Sequence, residues 1–386
     1  MEYRELGKTG KLVSIIGLGL EHVDFKPYAQ VEETIDAALE YGVNLLDVFM
    51  PGTEVREYTA KALKGRREKV MIQGHFGSID VNKTYGISRD IPTVKKYFEE
   101  MLRLFGYIDF GMLFLIDTED EYNKVFDSPF IDYVQQMKQK GDIHHIGFSS
   151  HNPEIAMKII NTGVAEMMMF SINPAFDMLP FDEFVFDHQD DLGRELFRGL
   201  DPKRAELYKL CIKNQVGITV MKTYGGGKLL SPEHSPYSMP MTHSQCIHYA
   251  LTRPAVASVL PGCKTAKEVH ETMKYLTASE TDKDYTRIIS ETPNDFKGSC
   301  VYCSHCQPCP SGIDIAAVNK YLDIARLDRD NLPPNLRSHY QALDGEECIG
   351  CKGCEVRCPF GVSIVECIAE AKELFGGNKN ITHKES

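Results

Sequence analysis

No stretch of about 18 consecutive apolar residues occurs in this 386-residue chain, which argues against a membrane span. Positive charge is in deficit. Forty-three Lys and Arg stand against 55 Asp and Glu, for a net charge of −12, and that balance excludes the basic surface that grips phosphate backbones or anionic lipid. The opening residues, MEYRELGKTGKLVSIIGLGL, lack the basic-then-apolar layout and small-residue cleavage site of a secretory leader. The expectation is a cytosolic protein. Cysteine is also scarce at first: only Cys211, Cys246 and Cys263 precede residue 298. What remains is an ordinary globular composition, 42% hydrophobic and 25% charged, in a chain long enough for one large domain and a small one.

The scarcity ends abruptly. The other nine cysteines lie between Cys300 and Cys367, and eight of them form two runs. The first is Cys300, Cys303, Cys306 and Cys309, followed by Pro310; the second is Cys348, Cys351, Cys354 and Cys358, followed by Pro359. Cytosolic disulfides are rare, so clustered thiols read as metal ligands. A two-residue gap lets a tight turn aim successive thiolates at one metal–sulfur cube, and the final Cys-Pro supplies a ligand to the other cube. Two zinc sites are the alternative, but zinc takes two separated Cys-x-x-Cys pairs per site, whereas each run here packs its four thiols into about ten residues. The runs therefore predict two [4Fe–4S] clusters. Residues 298–375 resemble a two-cluster ferredoxin domain, although the first run is one residue short before its last cysteine. The crossed pattern assigns Cys300, Cys303, Cys306 and Cys358 to one cluster, and Cys348, Cys351, Cys354 and Cys309 to the other. Cys367, in the helical stretch VECIAEAKELF, reads as a core thiol, and the polar residues 376–386 as a flexible tail.

Upstream, strand and helix signals alternate. Apolar runs occur at SIIGLGL, VNLLDVF, KVMIQGHF, IDFGMLFLI, IHHIGFSS, EMMMFSIN, GITVMK and VASVLPG. Between them lie helical patterns such as QVEETIDAALEYG and VKKYFEEMLRLFG, apolar at three- and four-residue spacing. Eight apolar strands with intervening helices predict an α/β fold, a (β/α)8 TIM barrel over residues 1–276. A linker over 277–297 would join it to the α-rich, ferredoxin-like iron–sulfur domain. The opening YRELGKTGKLVSIIG suggests a hairpin capping the barrel floor.

The segments YRELGKTGKLVSIIGLG, GVNLLDV, KALKGRREKVMI, GYIDF, IGFSSHNPE, INP, MKTYGGGKLL and LPGCKTAKEVHETM, in that order, resemble the aldo-keto reductases, in the subgroup with a C-terminal iron–sulfur domain. The resemblance implies carbonyl reduction by NADPH through an aspartate, a tyrosine, a lysine and a histidine. Asp47 matches the aspartate. Gly52 stands at the tyrosine's position, His75 at the lysine's and Phe114 at the histidine's, with Met221 where a ring would stack on nicotinamide. The same resemblance implies nicotinamide contacts from Ser149 and Ser150. It also implies phosphate contacts along the turn from Lys222 through Tyr224, Gly225 and Gly226, a 2′-phosphate site at Lys264 and Thr265, and an adenine neighbour in Glu271.

The residues also speak for themselves. His75 beside Asp47 would make an acid–base pair, or a buried histidine satisfied by a carboxylate. Asp117 either reaches the mouth or caps the helix after it. His151 either lines the site or caps NPEIAMKII. Tyr85 offers a phenol from an unexpected place, in the loop GSIDVNKTYGISRD; Tyr224, on the glycine-rich turn, could stack on a cofactor, while Gly225 to Gly227 themselves either hold phosphate or only make a turn. The long loop AFDMLPFDEFVFDHQDDLGRELFRGLDPKR reads as a lid or binding loop, or else as a short extra helix or a dock for the cysteine-rich domain.

Together these features point to an iron–sulfur oxidoreductase whose ferredoxin domain passes electrons to a small-molecule substrate, or to a second redox cofactor at the barrel mouth. NADP(H) or a flavin would be that cofactor, and a ferredoxin or flavoprotein the redox partner. Two alternatives stand beside it: an NAD(P)H-dependent carbonyl reductase with rearranged acid–base residues, and a non-catalytic electron-transfer or docking protein whose clusters are structural.

Overall fold

A computed structural model describes residues 1–178, 201–237, 239–290, 298, 300–326, 329, 332, 336–343, 345 and 347–376. Most of the expected lid segment, the last part of the expected linker and the tail from residue 377 lie outside the described residues.

The chain opens with the hairpin β1 (Tyr3–Glu5) and β2 (Leu12–Ser14), paired antiparallel. The barrel strands follow as β3 (Leu18–Gly19), β4 (Leu45–Val48), β5 (Met71–Phe76), β8 (Ile108–Leu113), β9 (Ile143–Ser150), β10 (Met167–Ser171), β11 (Gly217–Met221) and β12 (Val256–Val259). All eight apolar runs of the sequence are thus strands. They pair in parallel in the order β12-β11-β10-β9-β8-β5-β4-β3. Parallel bridges from Ile16 to Val259 and from Gly19 to Gly262 bring the first and last strands together. The strand N-termini form the floor and the C-termini the mouth.

Between and after the strands lie α1 (Tyr28–Glu40), α2 (Thr53–Ala62), α3 (Ile91–Phe105), α4 (Glu119–Phe126), α5 (Pro129–Lys140), α6 (Pro153–Asn161), α7 (Pro202–Lys213), α8 (His243–Thr252) and α9 (Ala266–Met273). Their starts follow local chemistry. Asp90, Ser128, Asn152 and Asp201 cap helices whose next one or two positions hold a proline, where its missing N–H is no loss.

One expected loop is a hairpin. Residues 78–87 form β6 (Ser78–Val81) and β7 (Thr84–Ile87), joined through Asn82 and Lys83 at φ 55° and 64°. Two consecutive left-handed residues match the twist of a two-residue hairpin. Lysine in the second place, where glycine is usual, hid the turn from the sequence.

The C-terminal region is helical: α10 (Glu280–Lys283), α11 (Thr286–Ser290), α12 (Ile315–Arg326), α13 (Leu336–Gln341), α14 (Gly353–Arg357) and α15 (Ile364–Phe375). Helices α12 and α15 pack together and are pinned by Arg326 to Glu370 at 2.6 Å. Arg357 ties the two cysteine runs, donating to the carbonyls of Cys306 and Pro308 at 2.6 and 2.8 Å. One apolar core runs from the barrel through Tyr285, Ile288 and Val301 into this module.

Candidate functional site at the barrel mouth

A cavity of about 180 Å³ opens at the strand C-termini, the end of a parallel barrel where side chains from several strands converge. Its deepest polar group is a pair. Asp47 on β4 and His75 on β5 are both buried, and the His75 Nε2 lies 2.7 Å from the Asp47 Oδ1. Gln73, two residues earlier on the same strand face, donates to that same oxygen at 3.0 Å. With Nε2 committed to Asp47, the His75 Nδ1 has no partner among the described residues. His75 is therefore oriented by a carboxylate and keeps one ring nitrogen for other work.

Aromatic rings box this pair. Phe114 meets the His75 ring edge-on at 5.4 Å, and Phe49 lies 6.0 Å from it. Tyr85, carried in by the β6–β7 hairpin, packs on Phe49 at 5.4 Å and on Phe114 at 5.9 Å. Burial, with a smaller contribution from the charge of Glu21, holds the Tyr85 phenol above its ordinary pKa. The phenol expected from an unusual position thus lines the same cavity as His75.

A second histidine–carboxylate pair stands at the rim. Asp117, beyond the end of β8, takes His151 Nδ1 at 2.9 Å, the His151 backbone N–H at 2.5 Å and the Ser150 hydroxyl at 3.0 Å. Burial pushes the Asp117 carboxyl up, but His151 and these hydrogen bonds outweigh it and leave the group below its ordinary range. Neither residue is a helix cap: Thr118 caps α4 and Asn152 caps α6. His151 lines the cavity and Asp117 stands behind it.

The other expected contacts divide. Ser149, Lys222, Tyr224 and Gly226 line the cavity. The Ser149 hydroxyl accepts the backbone N–H of Leu115 at 2.8 Å. Ser150 is turned to Asp117, outside the lining. Gly225, Gly226 and Gly227 hold φ of 57°, 68° and 90°, with open space where side chains on the last two would stand. Asn173 fixes this turn by donating to the carbonyl of Lys222 at 2.9 Å. Lys264, Thr265 and Glu271 lie outside the lining: Thr265 caps α9, and Glu271 pairs with Lys274 at 2.6 Å.

Several contributors escaped the sequence reading. Glu21 and His22 lie just beyond β3, a position at the mouth that the eight-strand pattern marks. Gly262 lets the His22 ring lie against the chain, since a Cβ there would come within 2.4 Å of it. Thr223 is buried in the lining, and its hydroxyl has no partner among the described residues.

The cysteines occupy a different region. Cys300, Cys303, Cys306 and Cys358 line one small cavity, with Ile315, Phe360 and Ile364 among its walls. Cys309, Cys348, Cys351 and Cys354 line another. Each cavity takes three thiols from one run and the fourth from the other. Among the described residues, no three His, Cys, Asp or Glu side chains are drawn together as around a single metal ion. Burial pushes the Cys303 and Cys306 thiols up to about 11 and about 12. Helix α8 separates the two regions. At its first residue, His243 touches Tyr224 of the mouth cavity, and Arg253, just past its last, donates to the carbonyl of Val301 beside Cys300. Ten helical residues span about 15 Å.

Comparison with known proteins adds three findings. Residues 15–246 match the family described as the Aldo/keto reductase family. The uncharacterized oxidoreductase YqkF of Bacillus subtilis (strain 168) is 24% identical over 314 residues, 77% of this chain and 98% of that protein. The aldo-keto reductase AKR11C1 from Bacillus halodurans is similar in its holo form, with a TM-score of 0.57, 19% identity and coverage of 76% of this chain and 97% of that one. Its apo form gives a TM-score of 0.52 at 20% identity, with coverage of 76% and 96%.

Proposed function

The chain belongs to the aldo/keto reductase family and is an oxidoreductase of that type; from that premise we propose an iron–sulfur oxidoreductase that delivers single electrons to a group bound at the barrel mouth. The observation that carries this reading is the pair of four-thiol cavities. Each gathers four thiols, the first against apolar walls that include Ile315, Phe360 and Ile364 and the second beside Lys352 and Arg357 as well, and four thiols are the ligand set of a metal–sulfur cube. Cys300, Cys303, Cys306 and Cys358 would hold one cluster, and Cys309, Cys348, Cys351 and Cys354 the other. When bound, such clusters supply one electron at a time. Cys348 and Cys351 are exposed whereas Cys306 is buried. Electrons would enter from a carrier at the exposed set and leave from the set that faces the barrel.

At the mouth, the chain's own residues handle protons. Asp47 orients His75, whose Nδ1 takes or gives a proton. Phe49 and Phe114 keep water from the pair, and Tyr85 presents a second proton donor across the cavity. The rim pair of His151 and Asp117 can compensate a charge that develops nearer solvent. The length of α8 between the barrel-facing thiols and the mouth favours a second redox cofactor as the acceptor.

The test is anaerobic purification with metal analysis and optical spectra. About eight irons per chain are expected, and zinc in their place would overturn the proposal. A flavin would appear in the same spectrum.

A second reading, as an NAD(P)H-dependent reductase with rearranged acid–base residues, is favoured by the open turn at Gly226 and Gly227 and by the family's usual cofactor. NADPH titration separates the two. Tight binding, with carbonyl turnover above about one per second, would promote the second reading.

A further inference from the structure

Arg253 is a buried cation in want of a counter-charge. It is 3% exposed, and its guanidinium lies between the rings of Tyr249 at 4.3 Å and Tyr302 at 4.8 Å. It donates to the Thr252 hydroxyl at 3.0 Å, the Tyr285 hydroxyl at 3.4 Å and the Val301 carbonyl at 2.5 Å. Every one of these partners is neutral. Among the described residues, no carboxylate lies within ion-pair distance of it.

The nearby acids are already engaged. Asp177, reached through the Tyr249 hydroxyl at 2.9 Å, is paired with Arg204 at 3.1 Å. Asp323 accepts the Tyr302 hydroxyl at 3.0 Å and pairs with Arg326 at 3.1 Å. Asp284 faces His305 at 3.1 Å. A buried charge without a partner is costly, and proteins ordinarily pair it.

What Arg253 does face is the start of the first cysteine run. Val301, whose carbonyl it holds, follows Cys300, and Tyr285 donates to the same carbonyl at 2.9 Å. The next backbone N–H, of Tyr302, points at the Cys300 sulfur at 3.4 Å. Four thiolates around an iron–sulfur cube make a group of net negative charge.

We infer that this anionic group is the counter-charge of Arg253, and that Arg253 raises the reduction potential of the cluster held by Cys300, Cys303, Cys306 and Cys358. The inference rests on the cluster reading above. Reduction adds one electron from an outside donor and no proton, so the cluster becomes more negative by one charge. A fixed cation in a poorly screened place favours that state. Arg253 acts as a positioning and tuning residue, not as a ligand.

The experiment uses the full chain, purified without oxygen, and follows each cluster by EPR during a mediated redox titration. In Arg253→Met, one of the two clusters should become at least tenfold harder to reduce, a drop of about 59 mV for a one-electron couple. The other should keep its potential. Arg253→Lys, which retains the charge but loses the stacking, should stay near the native value. Tyr285→Phe, which removes a bond to the same carbonyl without changing charge, should also stay near it. An unchanged potential in Arg253→Met, or an equal shift in both clusters, would overturn the inference. If Arg253→Met loses that cluster altogether, iron retained by Arg253→Lys supports the counter-charge role, and iron lost from both variants assigns the residue to packing. Iron analysis of the native chain separates the failures: a native chain without iron overturns the cluster reading and this inference with it.

Discussion

The carboxylate of Asp24 occupies the space in front of Gly52. Its Oδ1 lies 3.2 Å from where a Cβ on that glycine would stand, and its Oδ2 lies 3.6 Å away. The family resemblance places the proton-donating tyrosine at Gly52, and there another side chain stands against the start of its path. Asp24 is itself buried, and its Oδ2 has no partner among the described residues. Burial, the bond from the Phe25 N–H and the charges of Asp80 and Glu54 together leave its carboxyl above the ordinary range.

Restoring the tyrosine by Gly52→Tyr should therefore not create an ordinary carbonyl reductase. The added Cβ alone would press on the Asp24 carboxylate at 3.2 Å, so that side chain must give way, at an expected loss of about 1–3 kcal/mol in urea unfolding. Asp24→Ala in the same chain should recover part of that loss. A Gly52→Tyr protein of native stability would show that the site yields more easily than its packing implies.

His75→Phe should abolish turnover while iron content and the barrel's circular dichroism persist. The change leaves Asp47 buried with Gln73 as its remaining side-chain donor, which should cost about 1–3 kcal/mol. Activity surviving in this variant, once a substrate is in hand, would remove His75 from the chemistry.

The crossed thiols make a prediction that a run-by-run reading would not. Cys358→Ser and Cys300→Ser should lose the same cluster, although the two cysteines belong to different runs. Cys309→Ser and Cys351→Ser should lose the other. Each single variant should keep about half the iron, and the EPR signals should sort by cavity. Sorting by run would refute the arrangement.

Glu166, just before β10, joins the edges of two barrel strands. It meets His145 Nδ1 at 2.7 Å, accepts the Ile146 N–H at 3.3 Å and pairs with Lys138. Burial raises its carboxyl, but these partners prevail and bring it from 4.5 down to about 2. A depressed carboxyl stabilises the fold above its unfolded value, and that stability is lost as pH falls through the folded value. Glu166→Gln should thus lower stability by about 1–2 kcal/mol at neutral pH, after allowance for solvent screening. The gap to the native protein should close between pH 4.5 and about pH 2. A gap of constant size across that range would mean that the carboxylate charge contributes nothing.

Much of this was legible in the chain. Eight apolar runs became eight strands because strands buried on both faces carry an unbroken apolar signature. The thiol grouping was legible because ligand spacing is a local property. The pairing of Asp47 with His75 followed from their places at the ends of adjacent strands. Asp24 was not legible, since its importance comes from a neighbour 28 positions away that has no side chain. Arg253 was not legible either: nothing in TRPAVASV marks a buried guanidinium, and its partners at Tyr285 and Val301 arrive from a separate part of the chain. The contacts of Tyr85 needed the β6–β7 hairpin, which a lysine at φ 64° concealed.

The interleaving of the two cysteine runs also sets a timetable for biogenesis. The first cavity lacks its fourth wall until Cys358 has been made, and the second has a single thiol until Cys348 appears. Chains emerge N-terminus first at roughly 5–20 residues per second, so the last barrel helix, ending at Met273, leaves the ribosome seconds before either cavity can be completed. On the cluster reading, loading with metal would be an event of the finished chain, and the barrel would close without its help. A messenger cut short anywhere between residues 276 and 353 would still encode the eight barrel strands, yet neither set of four thiols would be complete.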